Sequence, residues 1–277
     1  DGFDPRQAGV PARLPSYSKA LRDGVKGLRI GVLTEGMERP GTENDVKEAV
    51  LAAVDLLERE GAIVSFVSVP AHASAAGDAQ AALSAEGSKY LFDTNFAGAF
   101  AATFNPSSLL TTLGRNKQSS AHELPLTMRM RVTLGQYLHA RYHGRLYAKA
   151  HNARKAIVKA YDKAFEEVDL LVMPTVPTVA PKYRAPGSET EAIKMALSAE
   201  FSPTDPITLR NKNTQPFNYT GHPAISVPCG KSGGLPIGLQ LVGRSFEEAT
   251  LLRAAYAVQA AVKYEQLPLP DKQAVTA

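Results

Sequence analysis

Cysteine is almost missing from this sequence, because Cys229 is the only one among 277 residues. A lone cysteine excludes an internal disulfide, and it fits a reducing cytoplasm and a cysteine-poor secreted chain equally well. Nothing marks the chain as secreted, so we expect a cytoplasmic protein. No apolar run approaches the ~20 residues that a membrane-spanning helix needs, and we therefore expect no membrane partner.

A strong charge of one sign is also missing. The 31 Lys and Arg are nearly balanced by 27 Asp and Glu, which gives a formal net charge of +4. The densest basic stretch has helical spacing and interleaves with apolar residues, so it predicts a solvated helix face and no nucleic-acid partner. Its members are Arg141, Arg145, Lys149, Arg154, Lys155, Lys159 and Lys163.

Self-contained catalytic and metal-binding motifs are missing as well. There is no Gly-x-Ser-x-Gly elbow, and CGKSGG is no phosphate loop because Ile225 stands where the first glycine is required. His139, His143 and His151 lie at helical spacing without a carboxylate nearby, which favours a polar helix stripe over a zinc site. Cys229 at a strand end is interpreted as a buried cysteine. We therefore predict no catalytic residue, metal or cofactor within the chain.

What is present is an alternation of strands and helices, which indicates an α/β fold. Residues 29–33 and 62–69 are apolar runs that flank a helix with Thr42 as its predicted cap, so together they form a parallel βαβ unit. One long helix or two are predicted between about Arg131 and Val168, and only short helices and loops over 71–128. The strand candidates begin near residues 29, 63, 170, 224 and 237, and a capping box of Ser245 with Glu248 predicts the start of a C-terminal helix.

Four segments, in order along the chain, resemble the C-terminal half of the amidase-signature family. They are DGFDPRQ at 1–7, VKGLRIGVLTEG at 25–36, EEVDLLVMPTVPTVAP at 166–181 and NTQPFNYTGHPAISVPCGKSGGLPIGLQLVG at 213–243. Within the family, VTLGQYL, GRLYAKAHNARKAI and TGHPAISVPCG look most like the amidases that accompany nitrile hydratases. The resemblance implies a mixed sheet covered by helices on both faces, with residues 1–277 as the C-terminal part of an amidase-signature domain.

The resemblance also implies a mechanism whose catalytic residues lie elsewhere. In the family a serine attacks the amide carbon after a neutral lysine activates it through a bridging serine, and backbone N–H groups stabilise the oxyanion. The pairs Ser107-Ser108 and Ser119-Ser120 lack the adjoining Gly-Gly of that signature. The start DGFDPRQ, with neither Met nor signal-peptide zones, reads as a cut inside a longer protein. We therefore expect an upstream part that carries the triad.

What the resemblance carries over to this chain is a wall of the substrate site. Ile237 is the first candidate, because apolar side chains at sheet ends often border small-molecule sites. Gly234 and Pro236 equally fit a turn before a strand, and Leu239 equally fits the core. The expected substrate-binding residues are Ile237, Thr214, Phe217, Asn218, Gly234, Pro236 and Leu239.

Three functions remain open at this point. The first is an amidase that converts a carboxamide into carboxylate and ammonia, with a small-molecule amide and the upstream half as partners and a homodimer left open. The second is the A-type component of a glutamine-dependent tRNA amidotransferase, which shares the fold but acts with partner subunits. The third is a non-catalytic α/β module used for association.

Overall fold

The computed structural model describes residues 9–95, 97, 104–201 and 212–262. The segment 1–7 and the tail from Glu265 lie outside these ranges. The strands are β1 Arg29–Leu33, β2 Ile63–Val67, β3 Leu170–Pro174, β4 Ala224–Ser232 and β5 Leu235–Gly243. The helices are α1 Tyr17–Ala20, α2 Thr34–Met37, α3 Asn44–Arg59, α4 Ala75–Asp93, α5 Ser107–Ser120, α6 Leu126–Tyr142, α7 Arg145–Glu167, α8 Glu189–Phe201, α9 Gln215–Thr220 and α10 Glu248–Val262. Two 3₁₀ turns span Pro70–His72 and Ala121–Glu123.

The five strands form one mixed sheet in the order β2-β1-β3-β5-β4. β1 pairs in parallel with β2 and β3, whereas β5 runs antiparallel to both β3 and β4. The central strand β3 is buried at every position, as a continuous apolar run in a sheet covered on both faces requires. The α/β prediction, its five strands and the parallel βαβ unit are thereby confirmed.

Two separate apolar layers cover the two faces of the sheet. Alternate strand residues such as Ile30 and Val32 face a layer that contains α3 and α10. Residues one step along, such as Leu33 and Leu171, face a layer that contains α7 and α9. This separation follows from the period-two alternation of side chains along a strand. Helices therefore lie on both faces, as the resemblance described above implies.

The helical part differs from the sequence prediction in the length of α4 and in the placing of the histidines, whereas the two helices over 126–167 agree with it. Residues 71–128 contain the 19-residue helix α4 where only short helices were expected. The stretch from Leu126 to Glu167 is broken where His143 and Gly144 both take left-handed conformations, with φ of 54° and 82°. The histidines therefore belong to two helices and a turn instead of one stripe. The basic residues predicted as a solvated face are all exposed, which confirms that interpretation.

α4 packs against α6 and α7 through close backbone contacts and one buried carboxylate. The fully buried Glu86 accepts hydrogen bonds from the backbone N–H groups of Gly144 (2.8 Å) and Tyr147 (2.7 Å). These donors belong to the first turn of α7, where backbone N–H groups have no partner within the helix. Glu86 thus caps α7 from a neighbouring helix.

Thr42 is not the cap of α3, so that prediction is wrong. Thr42 donates its hydroxyl to the carbonyl of Arg39 (2.8 Å) instead of capping, and the helix begins at Asn44. The N–H of Glu43 is held instead by the carbonyl of Pro177 (2.9 Å). Within the described ranges, no helix combines the length and apolarity needed to cross a membrane.

Candidate functional site

A small cavity opens where α9 meets the ends of β3, β4 and β5. Its volume is about 290 Å³. The wall combines hydroxyl, carboxamide and apolar groups, a mixture typical of small-molecule sites. It is lined by Thr175, Thr214, Phe217, Asn218, His222, Ala224, Ile225, Ser226 and Gln240.

Two hydroxyl groups, one just after β3 and one on β4, approach each other across β5 and form the polar part of this cavity. Oγ1 of Thr175 and Oγ of Ser226 lie 2.6 Å apart. Gly238 sits between them, and a Cβ at that position would come within 2.8 Å of the serine oxygen and 3.0 Å of the threonine oxygen. Only glycine leaves room for this pair, because real Cβ atoms do not approach so closely. The N–H of Thr175 donates to the carbonyl of Gly238 (2.8 Å), which fixes the strand end.

The short helix α9 supplies the opposite wall. The carbonyl of Thr214 accepts from the N–H groups of Phe217 (3.2 Å) and Asn218 (3.3 Å), which closes the first turn. Phe217 is buried against the rings of His72 and Tyr161, so its position is fixed from behind. The side chain of Asn218 is exposed and presents a carboxamide, with both donor and acceptor groups, on the cavity wall.

His222 closes one side of the cavity and is itself 5% exposed. Its Nδ1 lies 2.8 Å from Oγ1 of Thr220, and its Nε2 lies 3.4 Å from Oδ1 of Asp162. Burial lowers the pKa of His222 even though the carboxylate of Asp162 opposes this shift. The imidazole is therefore neutral near pH 7 and contributes packing and a hydrogen bond without a positive charge.

A buried hydrogen-bond network lies directly behind the cavity. Asn213 is fully buried, and its Oδ1 accepts from Nε of Arg39 (2.8 Å) and from Nε2 of His72 (3.2 Å). Its Nδ2 donates to the carbonyls of Gly36 (3.0 Å) and Pro174 (2.8 Å). Every hydrogen-bonding position of this amide is thus occupied.

The same network assigns the proton positions on His72. Because Oδ1 of Asn213 accepts only, Nε2 carries the hydrogen, and Nδ1 accepts from the hydroxyl of Tyr161 (2.8 Å). Burial, reinforced by the charge of Arg39, lowers the pKa of His72 to about 4. His72 is therefore neutral at pH 7, as this hydrogen-bond pattern requires.

Arg39 brings a guanidinium into this interior. Its Nε donates to Asn213, and its Nη2 donates to the carbonyls of His72 (2.6 Å) and Lys212 (2.9 Å). Among the described residues no carboxylate forms an ion pair with it. Three neutral acceptors, which come from two chain segments, therefore solvate the charge.

The structure brings together only part of the predicted substrate wall. Thr214, Phe217 and Asn218 line the cavity. Ile237 is 3% exposed and Leu239 is fully buried, and both belong to the apolar layer under α3 and α10 on the other face. The remaining two, Gly234 and Pro236, are exposed at the β4–β5 turn.

Sequence reasoning missed Thr175, Ser226 and Gln240, although a signal for one of them is present. In the strand segment IGLQLV, the residues Ile237, Leu239 and Leu241 alternate with Gly238 and Gln240. A polar residue and a glycine at every second position of a buried strand mark the face that leaves the apolar core.

The candidate nucleophiles discussed above do not take part in this cavity. Cys229 is buried in the apolar layer, and burial raises its pKa to about 12. Ser107, Ser108 and Ser119 lie exposed on α5. Over residues 9–95, 97, 104–201 and 212–262, no three His, Cys, Asp or Glu side chains are grouped so as to hold a metal ion.

Known proteins match this chain along nearly its whole length. The family model described as "Amidase" matches residues 1–252. The A-type component of the glutamyl-tRNA(Gln) amidotransferase of Lysinibacillus sphaericus is 34% identical over 272 residues, which cover 96% of this chain and 52% of that protein. Its counterpart in Methanosarcina mazei is 36% identical over 275 residues, which cover 98% of this chain and 53% of that protein.

A crystal structure of a bacterial aryl acylamidase of the amidase-signature enzymes shares the fold. Its TM-score is 0.69 at 19% identity, over 95% of this chain and 49% of that one. The chain spans about half the length of the curated relatives it matches. Both relatives are components of amidotransferases, so they agree better with the second of the three functions left open by the sequence than with a nitrile-hydratase-associated amidase.

Proposed function

The chain belongs to the amidase family, and on that premise we propose that it forms the C-terminal half of an enzyme that hydrolyses a carboxylic amide to carboxylate and ammonia. The observation that carries the proposal is the cavity beside α9, where hydroxyl and carboxamide groups meet an apolar wall. An amide substrate needs both hydrogen-bond donors and acceptors around it, and this wall offers both.

In this proposal the nucleophilic serine, the bridging serine and the lysine are supplied by the upstream part. The residues of this chain bind and orient the amide. The Thr175–Ser226 hydroxyl pair and the exposed carboxamide of Asn218 provide polar contacts, and Phe217 excludes water from behind α9. Positioning of this kind accounts for a large part of enzymatic rate enhancement, because it removes the entropy of bringing the reacting groups together.

We further propose that glutamine is the amide and that a partner subunit receives the ammonia. Support comes from the two relatives, which are both A-type components of glutamyl-tRNA(Gln) amidotransferases and whose similarity covers at least 96% of this chain. The alternative is a stand-alone amidase for simple amides. The segments TGHPAISVPCG and GRLYAKAHNARKAI favour it, because they look like the amidases that accompany nitrile hydratases.

The two versions differ in substrate and in dependence on a partner. The complete protein, with its upstream half, is assayed for ammonia release from glutamine, acetamide and benzamide, with and without an amidotransferase B-type subunit. The amidotransferase version predicts release from glutamine that rises when the B-type subunit is added. A preference for acetamide or benzamide that ignores the added subunit favours the stand-alone amidase. Release from none of the amides under either condition contradicts both versions.

A further inference from the structure

Asn213 is placed where two cavity walls meet. It directly precedes Thr214, which opens α9, and its Nδ2 donates to the carbonyl of Pro174, which directly precedes Thr175. Gln240, a third wall residue, donates its Nε2 to the carbonyl of Asn213 (3.0 Å). Asn213 is thus hydrogen-bonded to Gln240 on β5 and to Pro174, and it directly precedes Thr214 in the sequence.

The chemistry of this position requires a carboxamide. Oδ1 receives two donors, Nε of Arg39 and Nε2 of His72, while Nδ2 faces the carbonyl oxygens of Gly36 and Pro174. A carboxylate of the same size would direct an oxygen at two carbonyl oxygens. An apolar side chain would remove all four of these hydrogen bonds, at a substantial cost for buried groups that lose a partner.

We propose that Asn213 is a positioning residue of the amide-binding cavity, which sets the separation of Thr175 from Thr214 while Arg39 fixes the orientation of its side-chain amide. The proposal rests on the function proposed above, because it assumes that the cavity wall contacts the substrate. Asn213 does not touch the substrate itself. Its effect is transmitted through the main chain of its neighbours.

The test compares Asn213→Asp with Glu86→Gln in the complete protein. Glu86 is the matched control, since it is equally buried, caps α7 by hydrogen bonds and belongs neither to the cavity nor to its network. Both variants are expected to melt at lower temperature than the wild type. Only Asn213→Asp is expected to raise KM for the amide, by about 10- to 100-fold, with kcat per folded molecule nearly unchanged.

Hydrogen exchange measures the loosening of the two segments directly and needs no activity assay. Asn213→Asp is expected to speed amide exchange in segments 174–179 and 212–220, and Glu86→Gln to speed it near 144–148. If Asn213→Asp does not fold, Arg39→Lys replaces it, because a lysine keeps the charge but cannot reproduce the fixed fork of the guanidinium. The same rise in KM and the same exchange pattern are expected.

The outcomes distinguish a failure of this positioning role from a failure of the proposed amide-hydrolase function. A wild-type protein that releases no ammonia contradicts the proposed function, and the exchange pattern then decides whether Asn213 holds the two segments together. A folded Asn213→Asp protein with wild-type KM, or with faster exchange spread evenly over the chain, would overturn the positioning role. An unchanged KM with a lower yield of folded enzyme would mean that Asn213 serves stability alone.

Discussion

The two faces of the sheet are covered by different kinds of side chains. The layer under α3 and α10 is a continuous set of apolar side chains that includes Ile237, Leu239 and Cys229. The layer under α7 and α9 is interrupted by the hydrogen-bonded group of Arg39, His72 and Asn213, and the cavity opens beside it. The comparison indicates that one face holds the fold together, whereas the other uses part of its packing to shape a site.

The largest effect on stability is expected from truncation on the apolar face. Leu239→Ala removes a fully buried side chain and leaves a cavity, which costs about 2 to 5 kcal/mol in the free energy of unfolding. KM of the folded complete enzyme is expected to stay the same, since Leu239 faces away from the cavity. Urea unfolding and steady-state kinetics measure the two quantities. A large change in KM would mean that the two faces are not separate in function.

Enlarging Ile237 tests whether this residue belongs to the substrate wall or to the core. Ile237→Phe forces a ring into a packed layer and is expected to destabilise the protein by about 1 to 3 kcal/mol. Because Ile237 is only 3% exposed, the ratio of kcat/KM for acetamide and benzamide is expected to remain constant. A selective loss of activity on benzamide would return Ile237 to the wall that the sequence predicts.

The polar face is expected to make stability depend on pH in a defined window. The folded pKa of His72 is about 4, below its ordinary value of 6.5, so the unfolded state binds the proton first as pH falls. The stability due to neutral His72 is full above pH 6.5 and is lost as pH falls toward 4, with a loss of about 2 kcal/mol between pH 7 and pH 5. His222, whose pKa is also lowered by burial, adds in the same direction.

This pH effect is measured by urea unfolding at pH 7 and pH 5 in the wild type, His72→Gln and His222→Asn. The His72 variant is expected to lose most of the difference between the two pH values, and the His222 variant a smaller share. If the free energy of unfolding depends on pH equally in the wild type and the His72 variant, burial does not keep this histidine neutral.

The smallest effect on stability is expected at the edge of the sheet. On the edge strand β2, Ile63 and Phe66 are 60% and 70% exposed, and an apolar sheet edge promotes association. Phe66→Lys should change the free energy of unfolding by less than about 0.5 kcal/mol but reduce self-association of the isolated chain. Sedimentation velocity measures the association. An isolated chain that is monomeric before the substitution would contradict this account of β2.

The elements predicted from sequence are those that depend on local patterns. β3 is recognisable because Leu170 to Met173 is a continuous apolar run, and the basic residues from Arg141 to Lys163 are exposed as their spacing indicates. The predicted cap at Thr42 and the histidine stripe fail because of contacts that are distant in sequence. Each depends on one or two residues whose conformation is decided by contacts elsewhere, such as Glu86 on the first turn of α7.

The site was less predictable because its contacts are distant in sequence. Arg39 and Asn213 are 174 positions apart, and His72 and Asn213 are 141 apart. No periodicity connects such residues, so the buried network leaves no pattern in the sequence. Thr214, Phe217 and Asn218, which the sequence analysis proposes for the substrate wall, lie at the cavity together because they belong to one short segment. Ile237 lies in the apolar layer under α3 and α10, away from the cavity. A hydrophobic residue in a strand does not reveal which side it faces until its neighbours are known.

The most direct test of the central claim, that this chain is the non-nucleophilic half of an amide hydrolase, is ammonia release by the separated halves. The isolated chain, the upstream half and their mixture are each supplied with glutamine, acetamide and benzamide. The account predicts no release above background from this chain alone, because an amide requires a positioned nucleophile and base. It predicts release from the mixture. Steady release by the pure isolated chain, abolished by substituting a residue within it, would contradict the account.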